Sequence, residues 1–290
     1  MKLLLKFNLI FVLVFAAGLA VTAYIARDLL RANAEAEVAG NARLLMESAV
    51  AARTFTSNQI APLLQTQMKY TFLPQSVPAY VATEVLGELR KKYPEYSYKE
   101  ATLNPTNPRD RAVEWEADLV NQFRNNSTVT EYIGQRDTPV GRTFYIARAM
   151  KITNPNCLVC HSVPDAAPAP MIQKYGTANG FGWNLNEVIG AQVVSVPMEV
   201  PFKRAEQTFG VFMSLIVGVF LTIGVVLNLM LWALVIRPVT RLSGLADRVS
   251  LGEMEAPEFE TKARDEIGTL AESFGRMRKS LVQAMKMLEG

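Results

Sequence analysis

Residues 207–236 read QTFGVFMSLIVGVFLTIGVVLNLMLWALVI, a run without a single charge between Glu206 and Arg237. A helix needs roughly 20 apolar residues to cross the hydrocarbon core of a bilayer, and this run exceeds that length. Burying it instead in a soluble protein would need an enormous core around it. A second run of the same kind lies at 7–26, FNLIFVLVFAAGLAVTAYIA, between Lys6 and Arg27. VTA at Val21–Ala23 looks like a signal-peptide cleavage site. The apolar run is longer than the roughly 7–15 residues of a signal sequence, which favours an uncleaved anchor. These two spans account for a hydrophobic fraction of 50%.

Two spans put residues 1–6 and 237–290 on one side of a membrane and residues 27–206 on the other. Lys2 and Lys6 flank the first span, and Arg237, Arg241 and Arg248 follow the second. Positive charge near span ends marks the cytoplasmic side, and a long intervening segment hardly counts. The middle segment is therefore expected in the periplasm of a bacterial inner membrane protein. Its 19 basic residues against 18 acidic ones leave no basic block for nucleic acid, which is excluded as a partner.

After Arg27 the positions Leu30, Ala34, Val38, Ala42, Leu45, Ala49 and Ala52 recur at three- and four-residue steps. That is one face of a long helix continuing from the first span and ending before Pro62. A short helix is expected at 79–93 and another at 112–125. YSYKEATLNPTNPRD reads as a strand followed by a Pro-broken loop. Further strands are expected at 128–133, 142–149 and 188–196, the last bounded by the Gly-rich GTANGFG and by Pro197. Helices mixed with a few separated strands point to one α+β domain with an antiparallel sheet.

The chain has two cysteines and one histidine, and all three stand in CLVCH at Cys157, Cys160 and His161. C-x-x-C-H is the attachment sequence of c-type haem. Thiols three residues apart reach two vinyl groups of one porphyrin, and the next residue then lies under the iron as its imidazole ligand. The expected cofactor is one covalent haem c, with His161 on its iron. A zinc site wants four ligands where this chain offers three. A thioredoxin-like dithiol gives the adjacent histidine no role. A disulfide closing so small a loop would stabilise little. No second histidine exists for the far side of the iron. Met46, on the apolar face of the long helix, is the candidate ligand there, with another methionine, water or an open position as alternatives. Arg53, further along the same helix, could pair with a haem propionate or play an ordinary surface role.

Beyond the second span, Val239, Leu242, Ala246 and Val249 recur with 3-4-3 spacing. A break follows at GEMEAPEFETKARDE. Ile267, Leu270, Phe274, Met277, Leu281, Ala284 and Leu288 then form a heptad seam. Two such helices pack as a parallel four-helix bundle when two chains meet, so a homodimer is expected. Pro238 after the membrane, Gly252 and Met254 in the connector, and Asp265-Glu266-Ile267-Gly268 opening the second helix resemble a HAMP linker. Phe259 falls one place later than that pattern's second connector hydrophobe.

RTFTSNQIAPLL, YSYKEATLNPTNPRDRAVEWEADLVNQFR, CLVCHSVPDAAP and YGTANGFGWNLNEVIGAQVVSVPM together resemble the haem-c-binding, PAS-like periplasmic domains of bacterial two-span sensors. The resemblance implies a small antiparallel sheet flanked by helices, one covalent haem, and a redox or gas input. Some members use a cysteine as second haem ligand, which this chain cannot supply. The expected function is a membrane-bound haem sensor, not an enzyme. The chain stops at Gly290 after the second HAMP helix, so its output is expected in a cytoplasmic signalling partner. The rival is a tethered monohaem cytochrome in electron transfer, which needs no HAMP bundle. A peroxidase would want a distal histidine that the chain lacks.

Overall fold

The structure is a computed structural model that describes residues 3–139, 141–253, 257 and 265–288. It divides into two compact units, Arg27–Thr208 on the one hand and Met1–Ala26 with Phe209–Gly290 on the other.

Helix α1 runs Leu3–Phe55. It is followed by one π-helical turn, Thr56–Ile60, and by α2, Ala61–Leu64. The π-turn has a local cause. Pro62 has no N–H to donate, and its ring crowds the carbonyl four residues earlier, so Ala61 N–H bonds back five residues to Thr56 O. The expected stop before Pro62 is thus a change of helix type, with Pro62 placed in the first turn of α2. Helix α7, Glu199–Met230, repeats the device. A π-helical segment at Leu231–Ile236 leads into α8, Arg237–Ser250, and Arg237 N–H reaches Trp232 O one residue before Pro238.

In the unit Arg27–Thr208, helix α3 (Pro78–Lys92) precedes β1 (Ser97–Thr102), and α4 spans Glu114–Asn125. Then come β2 (Glu131–Thr138), β3 (Gly141–Lys151), α5 (Leu158–His161), α6 (Ala169–Tyr175) and β4 (Val188–Pro197). The strands form one antiparallel sheet in the order β1-β4-β3-β2. Strand β2 begins three residues later than expected and runs five further, because its register against β3 carries the pairing through to Thr138 opposite Gly141.

Strand alternation gives the sheet two faces. Phe144, Ile146, Val194 and Val196 point one way and pack against Val38, Ala42 and Met46 of α1. Ala101, Ala147, Ala191 and Val193 point the other way, against Leu119, Val120 and Phe123 of α4. The result is helix, sheet, helix. Ala49 of α1 meets Ala82 and Leu86 of α3 beside them.

The helical stretches Leu3–Leu64 and Glu199–Ser250 are each apolar and long enough to cross a membrane. Helix α9, Glu266–Leu288, is opened by Asp265, whose carboxylate accepts from the N–H groups of Ile267 and Gly268 at 3.0 Å each. Leu242 and Val249 of α8 and Ala271 of α9 are buried. Leu270, Met277 and Leu281 of the heptad seam are 49%, 61% and 43% exposed in the single chain. Met254 and Phe259 lie outside the described residues.

Candidate functional site

Three connections meet at one end of the sheet. Thr102 at the end of β1 pairs with Gly190 near the start of β4, and Lys151 at the end of β3 pairs with Val188. The segments after β1, after β3 and before β4 are therefore brought to one edge. They carry residues 103–111, 152–161 and 176–187.

Asn154 starts the middle segment as a turn. Its side-chain oxygen accepts from Asn156 N–H at 2.9 Å, and Cys157 N–H returns to Asn154 O at 3.1 Å. Helix α5 follows directly, so Cys157, Cys160 and His161 stand at i, i+3 and i+4 on one face of a helical turn. Both thiols are free and half-buried. Burial raises the pKa of Cys157, against the opposing field of Arg53. Burial also raises that of Cys160, helped by the neighbouring Cys157. A catalytic dithiol needs the opposite, a lowered thiol pKa.

His161 is held from two sides. Its Nδ1 lies 2.7 Å from Gly180 O, and a carbonyl can only accept, so the proton sits on Nδ1 and the lone pair on Nε2. Its ring stacks on Trp183 with centroids 3.9 Å apart and planes 15° from parallel. Burial lowers its pKa, with the Gly180 bond opposing, which favours the neutral, ligand-competent imidazole.

The turn that carries Gly180 is itself gripped. Asn104 accepts from Gly180 N–H at 3.3 Å and donates to Phe181 O at 3.4 Å. Arg111 donates to Asn179 at 3.2 Å. Gly180 has φ +85, and a Cβ there would lie 2.0 Å from Thr106 Oγ1 and 2.9 Å from Thr106 Cα. Only glycine permits that approach. This ladder, Asn104 to Gly180 to His161, was not legible as a site in the sequence. Three glycines in seven residues before Trp183 were its one local signal.

On the same gripping loop, burial pushes the Asp110 carboxyl up to about 6, although Arg109 beside it pulls the other way. The folded chain then holds this proton more tightly than the unfolded chain, whose ordinary value is 3.8. Stability from this group is present at low pH and lost as pH rises from about 4 to about 6. Asp110→Asn is expected to flatten that part of the pH–stability curve in thermal melts at pH 4 and pH 6.5.

Arg53 lies on the α1 face of the sheet. It forms an ion pair with Glu100 of β1, whose side chain is 4% exposed. Tyr98 donates to the other Glu100 oxygen at 2.8 Å, and Gln192 donates to Tyr98 at 3.0 Å. Burial and the Glu100 carboxylate hold the Tyr98 hydroxyl far above its usual range, so it stays a donor.

Met46 is placed elsewhere. Its side chain is fully buried among Val38, Ala42, Phe144, Ile146, Val194, Val196 and Met198, none of them from the three converging segments. The structure brings Cys157, Cys160 and His161 together and sets Met46 in the core beneath α1. Met46→Ala is expected to cost about 2–5 kcal/mol, as other core truncations of this size do.

The family model described as Tll0287-like matches residues 31–197, more than half of the chain. The chain belongs to the Tll0287-like family. A HAMP domain model matches residues 230–283, following the Tll0287-like domain. A protein of Acetivibrio thermocellus named as a sensory transducer is 30% identical over 87 residues. That match covers 30% of this chain and 15% of the relative, so the chain spans only a small part of the curated relative's length. The crystal structure of the cyanobacterial haem protein Tll0287 matches with a TM-score of 0.41 at 18% identity, covering 56% of this chain and 95% of that one.

Proposed function

We propose that this chain is a membrane-bound sensor. Cys157 and Cys160 hold one c-type haem by thioether bonds, His161 ligates its iron, and the HAMP segment passes the state of that site to a cytoplasmic signalling protein. The observation that carries the reading is the tautomer of His161. The Gly180 carbonyl accepts a hydrogen bond from Nδ1–H and leaves the Nε2 lone pair free to bind a metal, one residue from a thiol on the same helical turn. Half-buried free thiols and a neutral imidazole are the donor set that a covalent haem uses. The haem, when bound, supplies an iron that changes oxidation state and exchanges small ligands. The HAMP match and the name of the transducer relative support signalling over catalysis.

The remaining parts of the reading rest on chain features. Residues 7–26 and 207–236 span the inner membrane, contacting lipid with their exposed apolar faces. Lys2, Lys6 and the arginines after Ile236 support a HAMP segment in the cytoplasm and a PAS-like haem domain in the periplasm. The exposed heptad seam of α9 pairs with a second copy. Gly180 and Trp183 would hold His161 in place as the protein's ligand to the haem, which would supply redox change or small-ligand exchange as the input. Met46, whose side chain fills the core, would not hold the haem in this arrangement.

Optical spectra of the purified full chain test this reading. A ferrous spectrum that shifts with CO or NO, unchanged in position by Met46→Ala, is expected. A six-coordinate haem that ignores both gases and cycles freely with a quinol or cytochrome would instead favour electron transfer.

A further inference from the structure

Inside a bilayer no water is at hand to satisfy a polar side chain, so an amide within a span needs a partner and marks a place of interest. Asn8 is the one polar side chain between Lys6 and Thr22, and Asn228 is the one side-chain amide between Gln207 and Arg237. The fold brings them together. Asn8 Nδ2 donates to Asn228 Oδ1 at 2.8 Å, and Asn228 Nδ2 donates to Asn8 Oδ1 at 2.8 Å. The second N–H of each amide stays within its own helix, on Leu4 O at 3.0 Å and on Gly224 O at 2.8 Å. All four N–H groups are used, and each side-chain oxygen accepts a bond.

We propose that Asn8 and Asn228 form a register latch within the membrane. It holds the second span at one height against the first and opposes axial movement of α7. A slide by one helical turn, about 5.4 Å, would set Asn228 opposite Leu4 and Leu5 or opposite Phe11 and Val12. Asn8 would then face Gly224 or Trp232. None of these side chains can accept two amides' worth of hydrogen bonds, so the shifted arrangements leave polar groups stranded in hydrocarbon. Apolar contacts run in the same register. A Cβ on Gly224 would lie 3.1 Å from the Phe11 ring, and the rings of Phe15 and Phe220 are 4.0 Å apart. Such contacts tolerate small slips, whereas the paired amides do not. A lone buried asparagine fixes the register of coiled coils by the same physics. The latch lies nine residues before Arg237, ahead of the π-helical segment Leu231–Ile236. Any displacement of α7 along α1 must break the two hydrogen bonds between these amides before it reaches α8.

The test is photo-crosslinking of the full chain in phospholipid nanodiscs, with p-benzoylphenylalanine at position 15 and mass mapping of the adducts. Wild-type chains are expected to crosslink within one chain, on the turn around Phe220. In Asn8→Leu/Asn228→Leu, yield on that turn is expected to fall about three- to tenfold, with adducts spread to the turns on either side. Leucine keeps both spans apolar, so insertion is retained. Asn8→Gln, which keeps the amide, is expected to stay on the wild-type turn. An unchanged pattern in the double leucine variant overturns the latch, as does equal spreading in Asn8→Gln. Adducts on a second copy in the wild type overturn it too, because the pairing would then lie between chains.

Discussion

Arg53→Ala is expected to destabilise the domain of residues 27–208 by about 3–5 kcal/mol, the usual cost of stripping one partner from a buried ion pair. Glu100 lies on the inner face of the sheet and is 4% exposed. Without the guanidinium it keeps a single donor, the Tyr98 hydroxyl. Replacing both charges, as in Arg53→Met/Glu100→Gln, removes the stranded carboxylate and is expected to recover most of the loss. Thermal melts of the detergent-solubilised chain decide it. Single and double variants with equal loss would mean that the stranded Glu100 carboxylate is not the cause of the loss. The Arg53 field also reaches Cys157, which links α1 to the CLVCH segment.

Gly180→Ala is expected to have the largest effect on the site. The added Cβ meets the backbone of Thr106 at 2.9 Å, which a side-chain rotation cannot relieve, and φ +85 is itself strained for alanine. The turn must move away from Thr106 and carry its carbonyl off His161 Nδ1. Because His161 is the sole histidine, 15N labelling of histidine yields one imidazole spectrum. The wild-type chain without haem is expected to show the Nδ1–H tautomer, and Gly180→Ala a shift toward Nε2–H, the form common in free imidazole. An unchanged tautomer would show that Gly180 does not orient the ring. Asn104→Ala, which loosens the same turn without a clash, is expected to do the same to a smaller extent.

Much of this was legible in the sequence for physical reasons that act locally. The two apolar runs announce themselves because twenty and thirty residues without charge are long enough to cross a bilayer. The 3- and 4-residue steps from Leu30 to Ala52 mark the α1 face that the structure buries at Ala34, Val38, Ala42, Met46 and Ala49. CLVCH is legible because one helical turn holds the whole donor set. What failed to show was set by partners far along the chain. Strand β2 extends through Arg136 and Asp137 because β3 pairs with it, not because its own pattern is apolar. Helix α6 begins at Ala169 between two prolines that read as breakers, although proline is well suited to a first turn. Asn104 and Gly180 meet across the β1–β4 pairing, so neither carries a local mark of its role. Met46 illustrates the converse. Its place on an apolar helix face was correctly apparent, and the sheet beneath that face decides that it packs in the core.

The central claim is the covalent haem on Cys157 and Cys160. Its most direct test is the mass of the peptide spanning these residues, from chain produced in a bacterium that attaches c-type haem. The account predicts one haem added to that peptide and no thiol left for alkylation by iodoacetamide, with both features lost in Cys157→Ser/Cys160→Ser. A peptide of unmodified mass, with both thiols alkylated or joined as a disulfide, would contradict it.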